Sequence, residues 1–579
     1  MTFLRGRFIP LVAAFAGGAI TASAFGTYLL VAHPGFVSRV EAHLRSLVSQ
    51  SDAGATQPTP AAPLNGVAVR IDTQGSTSPI SPLIYGVAFA DPAYLKELGA
   101  TANRWGGNAV STFNWDNGNA DNAGRDWEFR NQGGSGNAAD TFISQSLAAG
   151  AQPVMTIPTI GWVAKNNDNN TMAIGVPNQG GAPAAPGSQA IAGYDPSANR
   201  ARTSVPSLPT SNGPMATAPD PSAPVVYQDA WVHYLTSKFG TGPKGVTYFE
   251  MDNEPDLWWI THTDVCPVET SYDAMVKEFT SYADAVRAVD PSAKILGPVV
   301  SGWTGYQFSA LDRGTDNFAT HADRQAHGNV PFLEWWLLQL KQHDQSLGKR
   351  TLDYLDVHYY PQAPNVVSAH ASDPATQARR IRSVHSLYDP NYVDESWISQ
   401  PVDLIPTLKA WIARSYPGTG IAISEYNFGG EYDASGAVAL AEVLGVFGRE
   451  GVYMANYWTN PPPNTPAAAA FRLYRNYDGH GARFGDLSLP VTSGSPQVAA
   501  FASRHSDTGE IDLVLANESL TQTATVQLQL SGFAAYKAQQ FVIHPGSSDI
   551  TPEALASTAG TLSLEPLSVH LVRLTKPKA

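Results

Sequence analysis

A chain of 579 residues with 43% hydrophobic and 15% charged residues has enough apolar content for a filled core, which excludes a disordered class. Acids outnumber bases by 50 to 36, a net charge of −14, and this argues against a polyanionic partner such as nucleic acid. The single cysteine, Cys266, excludes an intrachain disulfide, while 13 Trp and 23 Tyr supply either a large aromatic core or a surface that stacks flat, weakly charged ligands such as sugars.

At the N-terminus Arg5 and Arg7 precede an uncharged run over residues 8–32, long enough to cross a bilayer. Within it Ala22-Ser23-Ala24 offers a small-x-small site for a signal peptidase. Residues 1–50 therefore read as a signal peptide or signal-anchor with its flank, and both versions export the remainder of the chain. Residues 51–64, SDAGATQPTPAAPL, have the composition of a Pro/Ala spacer.

A short strand, GVAVRIDT, opens the folded part. From there to about residue 490, apolar strands (QPVMTIP, VTYFEMDN, KILGPVV, LDYLDVHYY, GIAISEYN, YMANYW) alternate with amphipathic helices such as DAWVHYLTSKF and FLEWWLLQLKQHD. Repeated βα units predict a parallel barrel over residues 65–490, an α/β fold, with an open doubly wound sheet as the alternative. Residues 166–225 are rich in Gly, Pro, Asn and Ala without strand or helix period, and read as a long cleft-wall loop. Over residues 491–579, short alternating strands separated by Asp-Thr-Gly, Ser-Gly and Pro-Gly turns predict a C-terminal antiparallel β-sandwich, into which GVAVRIDT can pair.

The chemistry concentrates in VTYFEMDNEPDLW, residues 246–258. Glu250, Asp252 and Glu254 occupy alternate positions, so a strand aims all three into the barrel and turns Phe249 and Met251 toward the helices. Buried carboxylates need a cation, and Arg104 is the candidate. Pro255 ends the strand and puts Glu254 at the C-terminal rim, where barrel active sites are built. Glu425 of IAISEYNFGG ends a late strand and supplies a second carboxylate. Two such groups facing one bond are what glycoside hydrolysis requires. Crowding by neighbouring acids suits Glu254 to the protonated role, and Glu425, isolated in sequence, to the ionised one.

Taken together, RWGGNAVSTFNWDNGNADNAGRDWEF, YFEMDNEPDLWWITHTDV, LDVHYYP, ISEYNFGGE and YRNYDG resemble glycoside hydrolase family 44. The resemblance implies a (β/α)8 TIM barrel joined to a β-sandwich and cleavage of internal β-1,4 bonds of a β-glucan polysaccharide with retention of configuration. It implies Glu254 as acid/base, Glu425 as nucleophile, and Asn253 as the residue that holds the sugar 2-hydroxyl. His358 and Tyr360 share a strand face from which they can reach the nucleophile or substrate. Trp458 resembles the platform on which the cleaved sugar stacks, and Trp105 with Asn108 is expected to shape the cleft floor.

Catalysis of this kind requires no cofactor, and the sequence places no structural metal. His262, Asp264 and Cys266 at spacing two lack a fourth ligand and read as incidental. The expectation is an exported, extracytoplasmic enzyme, membrane-anchored or secreted and monomeric. Alternatives are a hydrolase or transglycosylase on another β-glycan, such as xylan or mannan, and a non-catalytic carbohydrate-binding surface protein.

Overall fold

In the computed structural model, which describes residues 64–127, 131–167, 194–195, 200–201, 207–215, 218–532, 537–555 and 560–575, eight parallel strands close into a barrel. In chain order they are Gly86–Ala88, Ala102–Trp105, Gln152–Ile157, Tyr248–Met251, Lys294–Val300, Tyr354–Tyr359, Gly420–Tyr426 and Met454–Tyr457. The last pairs with the first, so the expected barrel forms and the open sheet does not.

The period-two rule builds the interior in layers. Ala102, Val154, Tyr248 and Ala422 belong to one buried apolar cluster that fills the barrel floor. Two residues further along the same strands stand Arg104, Thr156, Glu250 and Ser424, all fully buried. A polar storey thus sits on an apolar one. Phe249 and Met251 point the other way and join the large core shared with the helices.

Beyond that storey the alternation breaks, and it breaks at the residues of interest. The fourth strand stops at Met251, and Asp252 and Glu254 both adopt positive φ, +65° and +46°. Left-handed backbone at a non-glycine residue costs on the order of 1 kcal/mol or more. Here it is held in part by the Glu254 N–H, which donates to the Val299 carbonyl of the fifth strand at 2.9 Å. On the seventh strand a bulge skips Ser424: Val357 pairs with Ile423, but His358 pairs with Glu425.

The helix Ala434–Glu450 follows the seventh strand, capped by the Asp433 side chain at its start and by Gly451 at φ +70° at its end. It is buried on nearly every side, because the barrel lies on one flank and a seven-stranded sheet on the other. A Cβ on Gly445 would stand 2.3 Å from the Phe501 ring of that sheet, so the close approach requires glycine.

That sheet runs in the order Ser78–Pro79, Leu487–Leu489, Val498–Arg504, Ile511–Asn517, Val569–Thr575, Lys537–Ile543, Thr551–Glu553. A four-stranded sheet faces it: Val491–Ser493, Val67–Asp72, Ala524–Ser531, Thr561–Leu564. Val69, Ile71 and Val526 from one side meet Leu513, Leu515 and Leu574 from the other. The early strand does join the sandwich. It pairs antiparallel with Val491–Ser493 but parallel with Ala524–Ser531, so the module is not wholly antiparallel.

Most of the expected loop at 166–225 lies outside the described residues. Its later part contains the strand Ser207–Ser211, which has no strand period in its sequence and pairs antiparallel with Trp162–Ala164. Among the described residues no helix is long and apolar enough to cross a membrane; the run at 8–32 lies outside them.

Candidate active site

Arg104 stands in the polar storey with no solvent exposure, and a buried guanidinium must have anions around it. Its Nε donates to both oxygens of Glu250, at 2.9 and 2.8 Å, and Nη1 donates to Glu425 Oε1 at 2.6 Å. Nη2 donates to Asn253 Oδ1 at 3.0 Å and stands 3.4 Å from His358 Nε2. One cation from the second strand therefore ties together residues from the fourth, sixth and seventh.

Guanidinium groups only donate, so the His358 Nε2 facing Arg104 carries the lone pair and Nδ1 carries the hydrogen. Nδ1 lies 2.9 Å from Glu254 Oε1, to which it donates, and 3.5 Å from Glu425 Oε2. Burial pushes the imidazole down to about 4, which leaves it neutral at neutral pH. The Tyr306 hydroxyl donates to the His358 carbonyl and holds the strand from behind.

Glu425 receives Arg104 on one oxygen and the Tyr360 hydroxyl on the other, at 2.7 Å. Those two donors fix the plane of its carboxylate. Glu254 differs. Its side chain is 14% exposed, and burial pushes its carboxyl up to about 7, with Arg104 pulling the other way. Crowding by adjacent acids, the cause expected from sequence, is not what raises it. Glu250 is neutralised by Arg104, and Asp252 has turned toward the loop after the third strand. There it accepts the N–H groups of Thr159 and Ile160, at 2.5 and 2.9 Å. The three acids therefore do not share one face, and Arg104 serves Glu250 but not Asp252. An oxygen of Glu254, an oxygen of Glu425 and a His358 nitrogen all lie within 4.8 Å of one another.

Asn253 sits beneath the pair. Its Oδ1 accepts from Arg104 and from the Gly107 N–H at 3.2 Å, while Nδ2 donates to Asn108 Oδ1 at 3.2 Å. Asn108 in turn donates to Asp126 Oδ2 at 2.7 Å. Asp126 lies within the first of the motifs that carry the family resemblance, but nothing in the sequence marks it as the partner of Asn108, since only the fold brings its loop here. Burial pushes its carboxyl up to about 7, with the Asn108 hydrogen bond opposing.

Gly106 and Gly107 leave room for close neighbours. A Cβ at Gly106 would stand 2.3 Å from the Arg104 guanidinium carbon, and one at Gly107 would stand 2.5 Å from the Trp458 ring. Trp458, half-buried past the eighth strand, has its ring centre 5.8 Å from the Arg104 guanidinium and meets Phe89 edge-on. Trp105 does not line the cleft. Strand alternation turns it away from Arg104, and it packs among Phe89, Phe113 and Phe142 with 8% exposure. It supports the rim from below.

Removing the central cation should be costly. Arg104→Met leaves Glu250 and Glu425 as buried carboxylates without compensation, and breaking such a set costs about 3–5 kcal/mol. Urea unfolding followed by fluorescence should show that loss, and a change below about 1 kcal/mol would contradict an ion network centred on Arg104.

The comparisons with known proteins point the same way. A sequence profile described as Glycoside hydrolase family 44 matches residues 120–363. The chain is 31% identical over 558 residues to endoglucanase A of Paenibacillus lautus, covering 90% of this chain and 74% of that one. Among solved structures it is similar to CelM2, a bifunctional glucanase-xylanase from a metagenome library, with a TM-score of 0.78 and 36% identity over 89% of this chain and all of that one. It is likewise similar to a Paenibacillus polymyxa xyloglucanase from family 44 solved with xyloglucan, with a TM-score of 0.75 and 30% identity over 88% of this chain and all of that one.

Proposed function

Because the chain belongs to glycoside hydrolase family 44, we propose that it is a retaining endo-β-1,4-glucanase acting on cellulose-type glucans or xyloglucan by double displacement. The observation that carries this reading is the approach of Glu254 and Glu425 to within 4.8 Å through their oxygens, with His358 between them. Retaining enzymes hold their carboxyl groups about 5–5.5 Å apart, whereas inverting enzymes need about 6.5–9.5 Å to admit a water.

In the first step Glu425 attacks the anomeric carbon, and Glu254 passes its proton to the departing glycosidic oxygen. In the second, Glu254, now ionised, takes a proton from water as the oxygen of that water displaces Glu425 from the sugar. Neutral His358 donates to Glu254 in its ionised phase without competing for the proton. The Asn253 amide, held in place by Arg104, Gly107 and Asn108, is oriented to meet the sugar 2-hydroxyl. Trp458 offers its face to a sugar ring. The reaction is carried by the two carboxyl groups and water, and it calls on no cofactor.

Proton NMR of early product should show the β-anomer first, with the α-anomer appearing only by mutarotation. Initial α-anomer would overturn the mechanism. A panel of carboxymethyl cellulose, xyloglucan, lichenan, glucomannan and xylan ranks the substrates; activity on xylan or mannan alone would overturn the glucanase reading.

The pH profile has a predictable basic limb. Glu254 must be protonated to start the reaction, and its carboxyl is raised to about 7. The ratio kcat/KM should therefore fall tenfold per pH unit above about pH 7. A limb that begins near pH 5 would mean that Glu254 is not held in this environment.

A polymeric substrate has to be met outside the cell, which supports reading residues 1–50 as an export signal, retained as an anchor or cut after Ala24. N-terminal sequencing of the exported monomer separates the two.

A further inference from the structure

Away from the cleft, a second set of chelating side chains gathers where the barrel meets the sandwich. His385 lies in the short helical turn Val384–Leu387, Glu442 on the helix Ala434–Glu450, and Glu518 just past the sandwich strand Ile511–Asn517. One donor atom from each lies within 4.8 Å of the other two. Glu442 is 1% exposed; one of its oxygens accepts the Tyr388 hydroxyl at 3.0 Å, and the other has no hydrogen-bond partner. Arg449 lies nearby, but its guanidinium covers the Tyr388 ring at 4.4 Å and donates to Glu450 at 3.0 Å. Two carboxylates facing each other in a buried place, one oxygen unpartnered, are costly unless a cation or a shared proton joins them.

We infer that His385, Glu442 and Glu518 bind one zinc-type divalent transition-metal ion that pins the sandwich to the barrel. One imidazole with two carboxylates is a donor set suited to zinc, whereas calcium and magnesium favour all-oxygen shells. With bonds of about 2.1 Å, ligands around a tetrahedral ion stand roughly 3.4 Å apart. Rotation of the two half-buried side chains, His385 and Glu518, closes the set, and water completes the fourth position. The three ligands come from two barrel segments and one sandwich segment, so the ion joins parts of the chain far apart in sequence. None of the three belongs to the catalytic cleft.

The test uses the full chain, stripped with chelator and then titrated with zinc chloride alone. The expected results are one equivalent retained after gel filtration and a Tm raised by about 2–3 °C at a hundredfold excess over Kd. His385→Asn and Glu518→Gln should each weaken zinc binding at least tenfold and leave kcat/KM unchanged. Should a variant fail to fold, Co²⁺ bound to the wild-type chain must show visible bands of tetrahedral coordination that include imidazole. No stoichiometric zinc, zinc retained equally by both variants, or cobalt bound without imidazole would each overturn the proposal. A Tm that follows pH but not zinc would also overturn it, since the carboxylates would then share a proton.

Discussion

Glu425→Ala is expected to lower kcat on a soluble β-glucan by about four to six powers of ten, the scale of losing a covalent nucleophile. The side chain has no substitute at its position. Arg104 and Tyr360 converge on its two oxygens, and among the described residues no other carboxylate accepts from both donors. The variant should still fold, because Arg104 keeps Glu250 as its counter-ion. Azide, small enough to enter the space vacated by the carboxylate, should attack the anomeric carbon from the same side. The product expected is a glycosyl azide of inverted configuration. Activity within tenfold of wild type, in a variant with native circular dichroism, would remove Glu425 from the reaction.

Glu254→Gln should separate the two chemical steps. On polymer the leaving oxygen needs a proton, and kcat should drop by about 100- to 10,000-fold. On an aryl cellobioside with a good leaving group that need disappears. The first step should stay fast while hydrolysis of the glycosyl-enzyme slows, giving a burst of phenol and then a slow steady state. The same variant has a stability signature. Glu254 is raised from 4.5 to about 7 in the folded protein, so the folded state holds this proton more tightly than the unfolded one. Its contribution to stability is therefore lost as pH rises through that interval. Glutamine does not ionise. Glu254→Gln should be more stable than wild type above pH 7, by on the order of 1–3 kcal/mol, with this advantage disappearing below about pH 4.5. An enzyme that maintains a buried acid gives up stability for function at that residue.

How much of the molecule is readable in the sequence depends on how local each signal is. Lys294–Val300 and Gly420–Tyr426 match the apolar runs KILGPVV and GIAISEYN nearly end to end, because a strand covered on both faces declares itself by composition. Gly86–Ala88 is three residues long, too short for any period to show. The two glutamates are legible through their position at strand ends. Period-two counting gives the wrong reason for Glu254, since it fails once Asp252 and Glu254 take positive φ. Counting also fails across the bulge that sets Glu425 opposite His358. Such departures cluster where a site is built, and an unbroken strand pattern does not show them. Trp105 illustrates the opposite error. Its neighbours Arg104 and Asn108 face the site, but one residue of alternation turns the indole into the aromatic packing beneath. Asp126, and the role of Arg104 as counter-ion to Glu425, depend on contacts between distant loops and strands that only the closed barrel supplies.

The most direct measurement is to trap the covalent intermediate. A 2-deoxy-2-fluoro cellobioside with an activated leaving group slows both steps, the second more severely, and leaves the sugar on the nucleophile. Intact-mass analysis should show one added fluorocellobiosyl group per chain, and peptide mapping should place it on Glu425. A label on any other residue, or stoichiometric turnover with no covalent adduct at any pH, would contradict the account.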